Sequence, residues 1–166
     1  AKETGAPFLE ANLSCPNEGT TNLLCFDVER VGKISRMIKE AIGDTPLILK
    51  ISYFKDQSLL DSLVSEVGGV VDGFSTINTI SAEVRDKAGE QALPGEGRLR
   101  SGVCGESIKW AGVEMTKRFF ELRQQHNLNY AVIGVGGVTK TSDYQEYLEA
   151  GADGIMVHSK EKEPDE

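Results

Sequence analysis

The sequence predicts an α/β fold in which a parallel sheet carries crossover helices. Five short runs rich in Val, Ile, Leu and Phe have the composition of parallel strands that are buried on both faces. Between them lie stretches whose apolar residues recur at three- and four-residue steps, the spacing of amphipathic helices. The resulting order, β-α-β-α-β, a long loop, then α-β-α-β, is that of a parallel sheet with crossover connections.

The predicted strands and helices can be placed on the sequence in order. The strands are Pro7–Leu13, Pro46–Ile51, Val70–Ile77, Tyr130–Val135 and Gly154–His158. The first helical stripe consists of Val28, Val31, Ile34, Ile38 and Ala41, the second of Leu59, Leu60, Leu63, Val64 and Val67, and the third of Ile108, Ala111, Met115, Phe119 and Leu122. The last helix also carries boundary signals: Ser142 with Gln145 fits a capping box, and Gly151 suits the residue after the helix.

Strand number alone leaves two architectures open. Five parallel strands can form an open doubly wound sheet or a section of a closed barrel. A complete (β/α)8 barrel contains eight units in about 250 residues, and this chain of 166 residues has room for five. The pattern favours neither arrangement.

Composition excludes several classes of function. The formal net charge is -8 and the basic residues are scattered, so the basic stripe typical of nucleic-acid-binding proteins is absent and no nucleic acid is expected as a partner. No run approaches the ~20 apolar residues of a membrane span, and the amino terminus has no secretory pattern. Residues 160–166 are predicted to be a charged, solvated tail.

The three cysteines, Cys15, Cys25 and Cys104, predict a reducing compartment, which is the cytoplasm. An odd count without close pairs argues against a disulfide framework and against a four-ligand zinc site. At least one thiol is then free for chemistry, and no metal site is expected.

The segment Glu10-Ala11-Asn12-Leu13-Ser14-Cys15-Pro16-Asn17 carries the most distinctive chemistry. It follows the first strand, and in parallel α/β folds the sites form at the carboxyl ends of strands. Two carboxamides flank a thiol, and carboxamides suit the carbonyl and N–H edges of a planar heterocycle. The alternative is a helix-breaking loop with a structural cysteine.

Several motifs match one known family in register. Asn12-Leu-Ser-Cys-Pro-Asn17 resembles the signature of dihydroorotate dehydrogenases, in the soluble, cysteine-dependent class. Further resemblances follow in the expected order: Lys50 in Leu49-Lys50-Ile51-Ser52, Asn78-Thr79-Ile80, the glycine turn Ser101-Gly102-Val103-Cys104-Gly105, Val135-Gly136-Gly137-Val138, and Gly151-Ala152-Asp153 through Ser159.

The resemblance implies a parallel (β/α)8 TIM barrel that is incomplete here, with about the last five β/α units. Residues 1–159 would form the half that binds FMN and substrate. The expected partners are the missing half of the barrel or another chain, and homo-oligomers are possible. The sequence is therefore interpreted as a fragment of a longer protein or as half of a split barrel.

The implied activity is the FMN-dependent oxidation of dihydroorotate to orotate in pyrimidine biosynthesis. Cys15 would be the general base, and hydride would pass to flavin N5. Asn12, Asn17, Asn78 and Thr79 would bind the substrate. The residues expected to bind the cofactor are Asn12, Lys50, Ile77, Gly105, Gly136, Gly137, His158 and Ser159.

Two other functions remain open at the level of sequence. One is a related flavin oxidoreductase that acts on another dihydropyrimidine, and the other is a non-catalytic half-barrel that only binds FMN. The oxidant that reoxidises the flavin is also open, with fumarate and a nicotinamide cofactor among the candidates.

Overall fold

The computed structural model describes residues 2–14 and 23–157. Within them the strands and helices follow the chain as β1 (Leu9–Asn12), α1 (Val28–Ile42), β2 (Leu47–Ile51), α2 (Gln57–Val67), β3 (Gly73–Thr76), β4 (Ile80–Glu83), β5 (Arg100–Val103), α3 (Lys109–Gln125), β6 (Ala131–Val135), α4 (Thr141–Glu149) and β7 (Gly154–Met156).

Five of the described strands form one parallel sheet in the order β1-β2-β3-β6-β7. Each strand pairs with the next strand of that sheet along the chain, so that Asn12 lies beside Lys50, Lys50 beside Ser75, and Ser75 beside Ile133. Unbroken sequential parallel pairing with intervening helices is the arrangement of a barrel wall. The predicted parallel α/β sheet is confirmed, although its strands are shorter at several ends than the sequence predicted.

The sheet has two unlike faces, because successive side chains of a strand point in opposite directions. Helices cover the outer face, where Leu49, Phe74 and Val132 are completely buried. Phe74 packs there against Phe119 and Tyr130, with ring centroids 4.6 and 4.8 Å away. The opposite face, which would be the interior of a barrel, is called the inner face below.

The helical stripes are confirmed for α2 and α3, whose predicted residues are buried apart from the half-buried Leu59. The stripe of α1 was partly wrong. Ala41 is exposed, while Ser35 and Ile42 are buried. A four-residue step from Ile38 to Ile42 keeps the larger side chain on the buried face. No helix within the described ranges is both long and apolar enough to cross a bilayer.

The long loop predicted after the third strand was wrong in part, because it contains the antiparallel hairpin of β4 and β5. Ser101, Gly102 and Val103 of the predicted glycine turn belong to β5, so the turn itself is limited to Cys104 and Gly105. Each strand of the hairpin has only four residues. Such short alternations give a weak signal in the sequence.

The predicted capping box of Ser142 and Gln145 was also wrong. Helix α4 begins at Thr141, and the carboxylate of Asp143 accepts hydrogen bonds from the backbone N–H groups of Thr139 and Lys140 at 3.0 and 3.1 Å. A charged acceptor stabilises a helix amino terminus better than a neutral amide does. The prediction for Gly151 is confirmed, since this residue follows the helix with φ of +97°.

Candidate functional site

A cleft of about 640 Å³ lies at the carboxyl ends of the parallel strands. Seven residues that the sequence singled out line it: Lys50, Ile77, Asn78, Thr79, Gly105, Gly136 and Gly137. Lys50 lies near the end of β2, and the residues after β3 and β6 follow parallel strands whose carboxyl ends meet at one edge of the sheet. Gly105 comes from the turn after the antiparallel strand β5. Ile108, Val135 and Val138 supply apolar wall, while Met156 and Val157 close the side next to β7.

A hydrogen-bonded cluster joins the end of β1 to the end of β3. The Asn78 Nδ2 group donates to Ser14 Oγ at 2.9 Å and to Asn12 Oδ1 at 3.3 Å. Asn12 Oδ1 also accepts from Ser14 Oγ at 3.0 Å. The backbone N–H of Thr79 donates to Asn78 Oδ1 at 2.9 Å, which fixes the orientation of that carboxamide. The two asparagines expected to share a ligand are therefore held together.

Ser14 is a part of this cluster that sequence reasoning missed. It is buried, and it contacts both Asn12 and Asn78. Its position two residues after Asn12 was the available signal, because an Asn side chain commonly accepts from the backbone N–H two residues later, as Asn12 Oδ1 does from Ser14 at 3.1 Å.

The ammonium of Lys50 lies on the inner face, at the cleft. Its partner on the neighbouring strand β1 is the carboxylate of Glu10. The distance from Lys50 Nζ to Glu10 Oε1 is 3.7 Å. Both side chains are mostly screened from solvent, at 20% and 24% exposure. Sequence reasoning did not single out Glu10, although its spacing of two residues from Asn12 puts it on the same face of the strand.

Three of the residues that line the cleft are glycines, so the backbone there carries no side chains. Gly105, Gly136 and Gly137 have φ of +79°, +118° and +68°, which other residues rarely adopt. A Cβ on Gly137 would lie 2.8 Å from the carbonyl oxygen of Gly105 and 2.7 Å from Lys109 Cβ. The loop after β6 therefore packs directly against the turn after β5, and only glycine fits at this contact.

Tyr147, on α4, holds the loop after β6, residues 136–140, which is called the glycine loop below. Its hydroxyl lies 2.7 Å from the carbonyl oxygen of Gly136 and 3.1 Å from that of Val135, so it can donate to either. Burial raises the pKa of Tyr147 well above its usual value, so the phenol remains a neutral donor across the physiological range.

A cluster of three charged side chains fixes the end of the same loop. Lys109 Nζ lies 2.7 Å from Asp143 Oδ1 and 2.8 Å from Glu146 Oε1. The hydrogen bond from Lys109 and those from Thr139 hold the pKa of Asp143 well below its usual range. Because Asp143 takes the N–H groups of Thr139 and Lys140, an anion in the cleft would meet the backbone of the glycine loop rather than these two groups.

Four residues with predicted roles lie outside the described residues: Cys15, Asn17, His158 and Ser159. Of the other thiols, Cys104 is exposed at the cleft. Cys25 is completely buried, and this burial raises its pKa to about 11, which is typical of an inert structural thiol. The described residues hold no cluster of three or more His, Cys, Asp or Glu that could bind a metal.

Comparisons with known proteins point to one family. The family model described as Dihydroorotate dehydrogenase matches residues 3–163. A dihydroorotate dehydrogenase of Dictyostelium discoideum is 33% identical over 162 residues, which cover 94% of this chain and 43% of the relative. A dihydroorotate dehydrogenase B (NAD(+)) catalytic subunit of Oceanobacillus iheyensis is 32% identical over 157 residues, with 93% and 48% covered.

A third relative carries a different electron acceptor in its name. It is a dihydroorotate dehydrogenase A (fumarate) of Lactiplantibacillus plantarum, 30% identical over 158 residues, with 95% of this chain and 49% of the relative covered. The chain thus spans about half the length of the curated relatives it matches.

Proposed function

The chain belongs to the dihydroorotate dehydrogenase family, and we propose that it supplies the FMN- and substrate-binding part of an enzyme that oxidises dihydroorotate to orotate. The family folds as a TIM barrel, and the parallel sheet described above is a section of that barrel. One observation carries the proposal: seven positions matched to the family from distant parts of the sequence line a single cleft.

The residues of the cleft fit FMN. Its volume of about 640 Å³ lies within the ~300–1,000 Å³ usual for cofactor sites. Ile77 and the neighbouring apolar wall suit a flat ring, and Lys50 supplies a cation. Gly105 and Gly136 leave backbone where a phosphate can approach closely, and the missing side chain of Gly137 makes room for the Gly105 carbonyl. The contributions of His158 and Ser159 stay predictions from the sequence.

Bound FMN would supply the hydride acceptor, while this chain's side chains hold the substrate and remove its proton. The Asn78 carboxamide is oriented by Thr79, and a ligand can replace Asn12 Oδ1, 3.3 Å away, as the acceptor for one of its two N–H hydrogens while the bond to Ser14 is kept. Asn12 and Asn17 would contact the same ring. Cys15 would take the proton from C5, and its thiol chemistry, with a reference pKa of ~8.5, predicts a rate that rises with pH.

The inner face favours further β/α units as a partner. It carries Asn12, Lys50 and Ile133 without covering helices in the described residues. We propose that these units come from the rest of a longer chain or from a second chain. The half-barrel at residues 1–159 with its tail, homo-oligomer formation and a cytoplasmic location stay predictions. The relatives' names include both NAD(+) and fumarate, so they do not select an oxidant.

The proposal is tested by titrating the purified chain with FMN, alone and together with the other barrel units, and then adding dihydroorotate without oxygen. We expect flavin fluorescence to change on binding and the visible flavin absorbance to bleach on reduction. Cys15→Ala should abolish bleaching but not binding. Cys104→Ala is the matched control, because that thiol also lies at the cleft but has no proposed role.

The alternatives give different results in the same experiment. Bound flavin that another dihydropyrimidine bleaches, but dihydroorotate does not, would favour a related oxidoreductase. Stoichiometric flavin that no dihydropyrimidine bleaches, even with the other units present, would favour a non-catalytic half-barrel. Absence of FMN binding under both conditions would contradict the proposal.

A further inference from the structure

Glu10 faces Lys50 across the first two strands of the sheet. Asn12 is in register with Lys50, and Glu10 precedes Asn12 by two residues, so all three lie on the inner face. The distance from Lys50 Nζ to Glu10 Oε1 is 3.7 Å. Among the described residues, Glu10 is the only acidic side chain that forms an ion pair with Lys50.

The other inner-face neighbours of Lys50 offer no charge. The residues in its own row are Asn12, Ser75 and Ile133, and those in the row of Glu10 are Ile48, Gly73 and Ala131. Ser75 is completely buried, and its hydroxyl has no hydrogen-bond partner within the described part of the chain. The electrostatic environment of Lys50 on the described strands is therefore set by one carboxylate.

We propose that Glu10 is a positioning residue for the flavin site, holding the Lys50 ammonium at the cleft and setting how much positive charge it presents to the reduced flavin. This inference rests on the proposed function, since it needs a flavin beside Lys50. A carboxylate at 3.7 Å offsets part of the field of the cation. Its removal therefore makes the cleft more favourable to the negative charge of a reduced flavin ring.

The first test needs no cofactor. The full chain and Glu10→Gln are treated with an amine-reactive reagent, and modification of Lys50 is followed by mass spectrometry. We expect Lys50 to react roughly two- to fivefold faster in the variant. The effect is modest because a partly exposed ion pair contributes little free energy. Glu10→Asp, which keeps the charge, should restore most of the protection. The control is Glu121→Gln, which removes the carboxylate 3.9 Å from Lys117 on α3 and should leave Lys50 unchanged.

The second test measures the reduction potential of bound FMN in the same variants. Glu10→Gln should make the potential more positive, Glu10→Asp should stay close to the original chain, and Glu121→Gln should have no effect. Circular dichroism checks that each variant is folded. A purely structural role for Glu10 would lower stability without shifting the potential.

The outcomes separate this inference from the proposed function. If FMN binds and neither lysine reactivity nor potential changes in Glu10→Gln, the inference is wrong. If the original chain binds no FMN even with the other barrel units, the proposed function fails. Lysine reactivity then decides alone whether Glu10 holds Lys50.

Discussion

The outer and inner faces of the sheet carry different kinds of side chain. The outer face buries Leu49, Phe74 and Val132 completely under helices. On the inner face, Glu10 pairs with Lys50, the hydroxyl of Ser75 has no partner among the described residues, and Ile133 is half-buried. The difference teaches that one set of strands can supply apolar core on its outer side and the polar and charged side chains of the candidate site on its inner side, because alternation separates the two residue by residue.

The largest expected effect is on the outer face. Phe74→Ala should lower the free energy of unfolding by about 3–5 kcal/mol, because it leaves a cavity between Phe119 and Tyr130. Urea denaturation followed by circular dichroism measures the change. Ile133→Ala on the inner face of the neighbouring strand is the control and should cost less than about 2 kcal/mol. Equal losses at the two positions would remove the distinction between the faces.

A smaller loss of stability is expected from a change at the loop after β6. Tyr147→Phe removes the hydroxyl that bonds to the carbonyl groups of Val135 and Gly136. Losing the hydrogen bond to the half-buried Gly136 carbonyl should cost about 0.5–1.5 kcal/mol, since the Val135 carbonyl still accepts from the N–H of Ile77. FMN affinity should fall because the glycine loop loses its anchor. Tyr144→Phe, on the exposed side of the same helix, should change neither quantity. Unchanged stability in Tyr147→Phe would show that the loop is held by other contacts.

The pair of Lys109 and Asp143 predicts how stability depends on pH. The pKa of Asp143 is lower in the folded chain, so its contribution is full above the unfolded value of ~3.9 and is lost as pH falls towards the folded value. Asp143→Asn should lower the melting temperature at neutral pH, and the difference from the original chain should shrink below pH ~4.

The control for this prediction is Glu146→Gln. The Glu146 side chain also contacts Lys109, but it is 45% exposed. Glu146→Gln should lower the melting temperature less than Asp143→Asn does, since water screens exposed ion pairs. A difference between Asp143→Asn and the original chain that stays constant down to acidic pH would contradict the assigned shift.

The smallest effect on stability is expected on the inner side, at the end of β3. Asn78→Ala should cost less than about 1 kcal/mol, because the exposed Asn12 can bond to water and the buried Ser14 Oγ keeps its hydrogen bond to Asn12. Orotate affinity in the presence of FMN should nevertheless fall about tenfold or more, equal to about 1.4 kcal/mol. Asn129→Ala, which is exposed at the other end of the sheet before β6, should leave orotate binding intact. Calorimetric titration distinguishes the two.

The sequence predicted the features that depend on local periodicity. Buried parallel strands and the stripes of α2 and α3 follow from the spacing of apolar residues. The cleft residues Lys50, Asn78 and Gly136 could be placed together because each lies at or just after the carboxyl end of a parallel strand, and such ends share one edge.

The features that the sequence did not predict depend on contacts between distant residues. Pairing of β4 with β5 requires a register across the intervening loop. The use of Asp143 rather than Gln145 as the side-chain acceptor at the start of α4 is supported by Lys109, which lies 34 positions earlier. The partnership of Glu10 with Lys50 likewise joins two strands. None of these contacts leaves a local signal.

The most direct test of the two-face account is an NMR titration of the ¹⁵N-labelled chain with FMN, with the other barrel units added unlabelled if binding requires them. The account predicts that the largest amide shifts occur at Lys50, Ile77, Gly105, Gly136 and Gly137, while the helix-covered residues of α2 stay constant. Shifts centred on the outer helices, or spread evenly over both faces, would contradict it.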